Sequence, residues 1–243
     1  MPVAQPFDAD VLSCDVLAPR VRRLVLMRRD GQPMAFDPGQ WVNVILPTRS
    51  EELRRAYSIA SAPDGSPQFE LAVTEVQGGS GSSYLCGLTA GATLHLVGPQ
   101  GFFTRTAADS SPALFVATGT GVTQLRSMLR AAVSVDLATP LWLLLGARNE
   151  EDLLYRAEFE TLVRHHPNLR VFFTLSQPAT TWTGLKGYVQ LHVPALWEEL
   201  VAVHQGEPHL FVCGLERMVS VVRNLARKSM NLPRGRVHSE RYD

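Results

Sequence analysis

The chain has 243 residues with 23 basic and 23 acidic side chains. That balance excludes the phosphate-neutralising excess of a general nucleic-acid binder. A hydrophobic fraction of 45 % is that of an ordinary globular protein, no apolar run is long enough for a membrane span, and the opening MPVAQPFDADV lacks the basic-then-apolar pattern of a secretory signal.

The three cysteines, Cys14, Cys86 and Cys213, stand far apart with no CxxC pair. No zinc or iron–sulfur site is expected from that spacing, and reduced thiols in a cytoplasmic protein are the plain expectation. The first half of the chain predicts strands. VRRLVLMRR, WVNVILP, RAYSIAS, FELAVTEV and TLHLVGP are short, rich in β-branched residues and separated by Pro, Gly and Ser clusters. No segment there sustains helical spacing, so an antiparallel barrel or sandwich is expected. TAADSSP, residues 106–112, reads as a linker.

Beyond it the pattern changes. ALFVAT, LWLLLGAR, LRVFFTLS and HLFVCG are apolar strands. They alternate with the helical VTQLRSMLRAAV, EEDLLYRAEFETLVRHH and ERMVSVVRNLARKSM, and Val237 opens a plausible last strand. Such alternation predicts a parallel sheet covered on both faces. The expected organisation is a β-barrel domain over 1–106 and an α/β domain over 112–243. His165 and His166 read as a solvated helix end and the tryptophans as packing, with Trp182 placeable near a nucleotide but not required there.

Two stretches carry chemistry. Gly119-Thr120-Gly121 lies between a buried strand and a helix, where a sharp turn and free helix N–H groups suit a pyrophosphate; a plain tight turn has the same sequence. The third glycine of GxGxxG is absent, with Gln124 in its place. RAYSIASAP sets an arginine, a phenol and two serines in one short strand, an unusual demand for a core strand.

RAYS at 55–58, GGSGSSYL at 78–85, GPQGFF at 98–103, GTGVTQLRSML at 119–129, GAR…DLLY at 146–155, CG at 213–214 and the tail HSERYD, in this order, resemble the ferredoxin–NADP reductase superfamily over nearly the whole chain. The resemblance implies an FAD-binding antiparallel barrel followed by a pyridine-nucleotide α/β domain, with flavin and nicotinamide meeting in the cleft between them. It implies that the Arg55–Ala56–Tyr57–Ser58 strand holds the flavin. Arg55 would pair with the pyrophosphate, Tyr57 would stack on the isoalloxazine, and Ser58 would bond near N5. Gly79, Gly81, Ser82 and the weaker candidate Ser83 would form a second pyrophosphate clamp. Gly119, Thr120, Gly121, Arg148, Ser176, Cys213 and Gly214 would receive the nicotinamide nucleotide. Cys213 would lie beside nicotinamide C4 and Glu240 would tune local charge. Tyr242 would cover the flavin face that the nicotinamide must use. Period two in a strand puts Arg55 and Tyr57 on one face and turns Ser58 away, so Ser58 must act at a strand end or through its backbone.

Two departures from the family pattern matter. Gln124 stands where a proline is usual. Ser176 is followed by Gln177 and Pro178 rather than by an arginine for a 2′-phosphate, which favours NADH, although Arg148 and Lys186 are available to a phosphate. The chain shows no ferredoxin segment, so electrons are expected to pass to a separate ferredoxin, flavodoxin or oxygenase component. From Arg20 to Arg55, eight arginines face four acids (Asp30, Asp37, Glu51, Glu52), a local excess that would steer an acidic partner or simply be a solvated surface. The expected activity is an NAD(P)H-dependent flavoprotein reductase. A flavin reductase using flavin as substrate and a non-catalytic subunit of an electron-transfer assembly are the alternatives. Nothing requires more than a monomer.

Overall fold

The structure, a computed structural model, describes residues 4–46, 52–135, 138–204 and 206–242. Arg49 and Glu51, counted in the basic stretch above, lie outside them. Packing divides the chain into two units, Met1–Ala107 with Arg126–Ala131, and Ala108–Leu125 with Ala132–Asp243.

The first unit contains β1 (Gln5–Ala18), β2 (Val21–Arg28), β3 (Trp41–Leu46), β4 (Leu53–Ser58), β5 (Gln68–Thr74), α1 (Ser80–Cys86) and β6 (Thr93–Gln100). The strands run β4-β3-β6-β1-β2-β5, each antiparallel to its neighbours. Just past β4, Ile59 bridges Leu71 of β5, and the Ala60 N–H donates to the Glu70 carbonyl at 2.8 Å. The sheet thereby closes on itself as a barrel, which removes the exposed edges an open sheet would present. Alternation fills the inside: Val42, Val44 and Leu46 of β3 point inward with Leu24, Leu26, Leu71, Val73, Leu94 and Leu96.

Two elements here differ from the sequence expectation. The fourteen-residue β1 was absent from the strand reading because its hydrophobic positions are diluted by Asp8, Asp10 and Asp15; Phe7, Ala9 and Val11 still alternate into the core. GGSGSSYL lies in the half where no helical spacing is read, yet it holds α1. Gly78 turns the chain at φ 76°, and the Ser82 hydroxyl accepts from the Val76 N–H at 3.0 Å and contacts the Gly79 carbonyl at 3.1 Å, which fixes the helix start.

The second unit contains β7 (Ala113–Thr118), α2 (Val122–Ser134), β8 (Leu141–Ala147), α3 (Arg156–His165), β9 (Leu169–Leu175), β10 (Leu185–Lys186), α4 (Val193–Val203), β11 (His209–Leu215), α5 (Glu216–Asn224) and β12 (Val237–Tyr242). All the pairings are parallel, in the order β10-β9-β8-β7-β11-β12. The chain steps outward from β7 through β8, β9 and β10, then returns to the other side of β7 for β11 and β12. The order reverses between β7 and β11, where open parallel sheets bind ligands. One sheet face packs Leu114, Val116, Leu144 and Val212 against Val193, Leu196, Leu200, Val219 and Val222 of α4 and α5. The helical reading of EEDLLYRAEFETLVRHH is interrupted: Tyr155 is left-handed at φ 57°, and α3 starts only after it. No helix among the described residues is long and apolar enough to cross a membrane.

Helix α2 gives Arg126–Ala131 to the first unit. Arg126, with a side chain 2 % exposed, donates to the Ala60 carbonyl at 2.7 Å and to Glu70 at 3.1 Å, while the Ser127 hydroxyl donates to the Ser61 carbonyl at 2.6 Å. Removing a buried cation leaves its carboxylate and carbonyl partners unsatisfied. Arg126→Met should therefore lower the free energy of unfolding in urea by about 3 kcal/mol, while Arg54→Met, whose ion pair with Glu52 is solvated, should change it by less than about 1 kcal/mol.

Candidate active site

In the first unit the candidate residues converge on β4 and α1. Gly81 lies against the barrel so closely that a Cβ would come within 2.5 Å of Leu46 Cδ1 and 3.5 Å of Arg55 Cγ. The bare glycine thus brings the first turn of α1 up to the exposed Arg55 side chain. Helix geometry leaves the first-turn amides of Ser80, Gly81 and Ser82 without intrahelical acceptors. The guanidinium donates to the Arg54 carbonyl at 2.9 Å and is exposed, and an exposed guanidinium on a stem next to amides that no side chain covers is a donor set suited to a pyrophosphate. Gly79 precedes the helix, and Ser83 is exposed on it. The Ser82 hydroxyl is committed to the turn, so that residue can offer a ligand only its backbone.

Tyr57 is half-buried and packs against the barrel core; burial raises its phenol above the usual range. Ala56 between them is exposed, and Ser58 at the end of β4 is buried. Arg55 and Tyr57 pair in register with Val44 and Val42 of β3 and share a face, as period two requires, while Ser58 pairs with Trp41. These residues fit a flavin dinucleotide.

In the second unit the carboxyl ends of β7 and β11 form the crevice. Gly119, at φ 53°, opens a short 3-10 turn through Thr120 and Gly121 that leads into α2. A Cβ on Gly121 would lie 2.3 Å from the Cys213 carbonyl oxygen and 2.7 Å from Gly214 Cα. Gly214, at φ 149°, leaves no room for a Cβ beside the Thr118 hydroxyl, 2.6 Å away. That hydroxyl is buried and has no hydrogen-bond partner among the described residues. An unpaired buried hydroxyl between two glycine turns fits a site that receives a polar ligand, here a nucleotide. Thr118 was not singled out from the sequence, since a threonine closing an apolar strand carries no signal of its own.

Cys213 and Glu240 are register partners on β11 and β12. The Cys213 thiol donates to Gln124 Oε1 at 2.9 Å, and Gln124 Nε2 donates to Glu240 Oε1 at 2.5 Å. Tyr242 also hydrogen-bonds the sulfur. Burial pushes the Cys213 thiol far up, and the negative charge of Glu240 adds to this. Burial likewise raises the Glu240 carboxyl above its usual 4.5, while the Gln124 amide pulls it back. Burial that disfavours the thiolate suits a thiol that shapes its surroundings better than one that attacks as a nucleophile.

At the next strand ends, the Ser176 N–H donates to the Ala147 carbonyl at 3.0 Å and the Gln177 N–H to the Arg148 carbonyl at 2.9 Å, while Lys186 pairs in register with Leu175. Ser176 is therefore flanked by Arg148 on one side and Lys186 on the other, both exposed. Trp182 is structural: its ring N–H donates to the Leu185 carbonyl at 2.8 Å, and the Arg156 guanidinium lies 5.5 Å from its ring.

Residues 9–104 match the oxidoreductase FAD-binding domain and residues 115–224 the oxidoreductase NAD-binding domain. The ferredoxin–NADP reductase B of Sorangium cellulosum is 55 % identical over 241 residues, 99 % of each chain. The chain belongs to the ferredoxin–NADP reductase family. The phenol hydroxylase P5 protein of Acinetobacter pittii is 30 % identical over 99 % of this chain and 66 % of its own length. Among solved structures, the Amycolatopsis cytochrome P450 reductase GcoB superposes with a TM-score of 0.83 at 28 % identity, over 98 % of this chain and 70 % of that one.

The barrel arginines counted in the basic stretch have acidic neighbours in the fold. Arg28 pairs with Asp30 at 2.6 Å, Arg54 with Glu52 at 2.5 Å, Arg29 with Asp10 at 3.4 Å, and Arg23 with Asp15 and Glu70 near 4 Å. Asp10, Asp15 and Glu70 lie outside the stretch counted in the sequence, so the basic excess read there is compensated in part, with Glu70 shared with Arg126.

A carboxyl whose folded value is raised holds its proton more tightly in the folded state; the associated stability is present below 4.5 and is lost as pH rises above it. Glu240→Gln should flatten that decline in unfolding free energy between pH 4.5 and neutrality. Cys213 in the native protein should resist iodoacetamide at neutral pH, whereas all three cysteines should label after unfolding in urea, as read by peptide mass spectrometry.

Proposed function

We propose that the protein is an FAD-dependent reductase that takes a hydride from NAD(P)H and passes single electrons to a separate small redox protein, a ferredoxin, a flavodoxin or an oxygenase component. The observation that carries this reading is the presence in one chain of two cradles of different chemistry: the Arg55–Gly81 cradle on a closed barrel, and the Thr118–Gly121–Gly214 crevice at the reversal point of a parallel sheet. The relatives named as ferredoxin and oxygenase reductases support the choice of acceptor class. Residues 1–106 would serve the flavin and 112–243 the nucleotide.

FAD, when bound, supplies the chemistry, accepting a hydride and giving up electrons one at a time. The chain's own residues bind, orient and shield. Arg55, with the amides of Gly81 and Ser82, would hold the pyrophosphate, whereas the amides of Gly79 and Ser83 are taken by the Val76 and Gly79 carbonyls and those two residues would only shape the clamp. Ala56 lets the strand lie close, Tyr57 would give a ring for stacking, and Ser58 a buried hydroxyl at the strand end. Gly119, Thr120, Gly121 and Gly214 would seat the nicotinamide nucleotide's phosphates and ring. Cys213 and Glu240 would set the shape and charge around the nicotinamide without acting as nucleophile or general base. The Cys213 sulfur is wholly buried and bonded by Tyr242, so Tyr242 would have to move aside for a nicotinamide to reach it.

The two exposed cations beside Ser176 bear on the donor. A 2′-phosphate finds Arg148 and Lys186 there without an arginine at 177, so the sequence argument for NADH weakens and use of NADPH as well is the better reading.

Anaerobic mixing of the FAD-loaded protein with NADH or NADPH should bleach the flavin absorbance. A protein that retains no FAD on gel filtration would favour the flavin-reductase alternative, and retained FAD that neither donor bleaches would contradict the reading. Arg55→Ala should lower FAD affinity by about tenfold or more, the loss of one charge-assisted pair. Arg148→Ala should raise KM for NADPH by about tenfold and leave that for NADH within about twofold.

A further inference from the structure

We propose that Gln124 is a positioning residue for hydride transfer, fixing the Cys213 thiol and the Glu240 carboxylate as one unit through its side-chain amide. The inference rests on the reductase reading above. Gln124 is fully buried at the third residue of α2, and its amide joins the two groups at 2.9 Å and 2.5 Å. The orientation follows from donor and acceptor chemistry. An ionised carboxylate only accepts, so the amide nitrogen faces Glu240; the amide oxygen then faces Cys213, and the thiol must donate to it. With Tyr242 bonded to the same sulfur, the S–H direction is set and the sulfur is held from two sides.

The helix itself does not call for glutamine here. A first helical turn tolerates proline, and a proline side chain can reach neither group by hydrogen bonding. A buried amide carries a desolvation cost unless it is bonded at both ends, and here it is bonded at both ends. Glu240 and Cys213 sit opposite one another on β12 and β11, while Gln124 comes from the helix above the strand end. The amide therefore ties the last strand to the start of α2 through the groups that would surround the nicotinamide.

The test uses the FAD-loaded protein and its Gln124→Met variant, which keeps the volume and removes the amide. The first readout is independent of turnover: the infrared S–H stretching band of Cys213, identified by its loss in Cys213→Ser, should move to higher frequency when its acceptor is removed. The second is the limiting rate of anaerobic flavin reduction by the better donor. It should fall about tenfold, with the half-saturating nucleotide concentration within about twofold of the parent, because the change affects alignment and not binding. The double variant Gln124→Met/Cys213→Ala should be no slower than Cys213→Ala, since the two act as a unit. An unmoved S–H band, an unchanged reduction rate or fully additive losses would overturn the proposal. If Gln124→Met does not fold, Gln124→Asn, which keeps the amide on a stem one carbon shorter, carries the same readouts. A parent protein reduced by neither donor would overturn the reductase reading itself; a parent that is reduced and a variant equal to it would overturn only the role of Gln124.

Discussion

The approach of Gly121 to the backbone of β11 is the contact on which the second unit depends. With the Cys213 carbonyl where a Cβ would have to be, only glycine lets the first turn of α2 settle onto the end of the neighbouring strand. That seating brings Gln124 over Cys213, leaves the Thr118 hydroxyl buried between the turn and Gly214, and sets the helix start at the point where the strand order reverses. A methyl group at Gly121 would displace all of them together.

The first unit uses the same device with different neighbours. Gly81 lies where a Cβ would strike Leu46 and touch the stem of Arg55, so α1 can press its first turn against a barrel strand. One glycine thus places the stem of an arginine beside uncovered amides, and the other places a hydroxyl beside a helix start. The difference lies in the surrounding fold. The barrel closes through the Ile59 bridge to Leu71 and presents β4 as a support, whereas the parallel sheet presents strand ends in a row, so that Arg148, Ser176 and Lys186 follow one another at neighbouring strand ends.

Much of this was legible in the sequence, and the reasons are physical. Fully apolar strands alternating with amphipathic helices are required by a sheet buried on both faces, so β7, β8, β9 and β11 stood out. Arg55 with Tyr57, and the Gly119–Gly121 turn, stood out because their composition is unusual for their elements. What was hidden depends on contacts distant in sequence. The aspartates of β1 obscured its alternation, and the amphipathic run of α4 was overlooked between polar loops. The start of α1 rests on the Ser82 hydroxyl, which no helical spacing reports. The partners of the barrel arginines, Asp10, Asp15 and Glu70, lie on other strands, so a count along the chain overstated their free charge. Gln124 read as a missing proline; only the structure shows it bonded to Cys213 and Glu240.

The central claim, that the glycine turn after β7 and the end of β11 together receive the nicotinamide nucleotide, is tested most directly by backbone amide NMR of the protein titrated with NADP⁺ and no electron donor. The account predicts that the amides of Gly119, Thr120, Gly121 and Gly214 shift most and saturate together. Shifts confined to other parts of the second unit, with these amides unmoved at saturation, would contradict it.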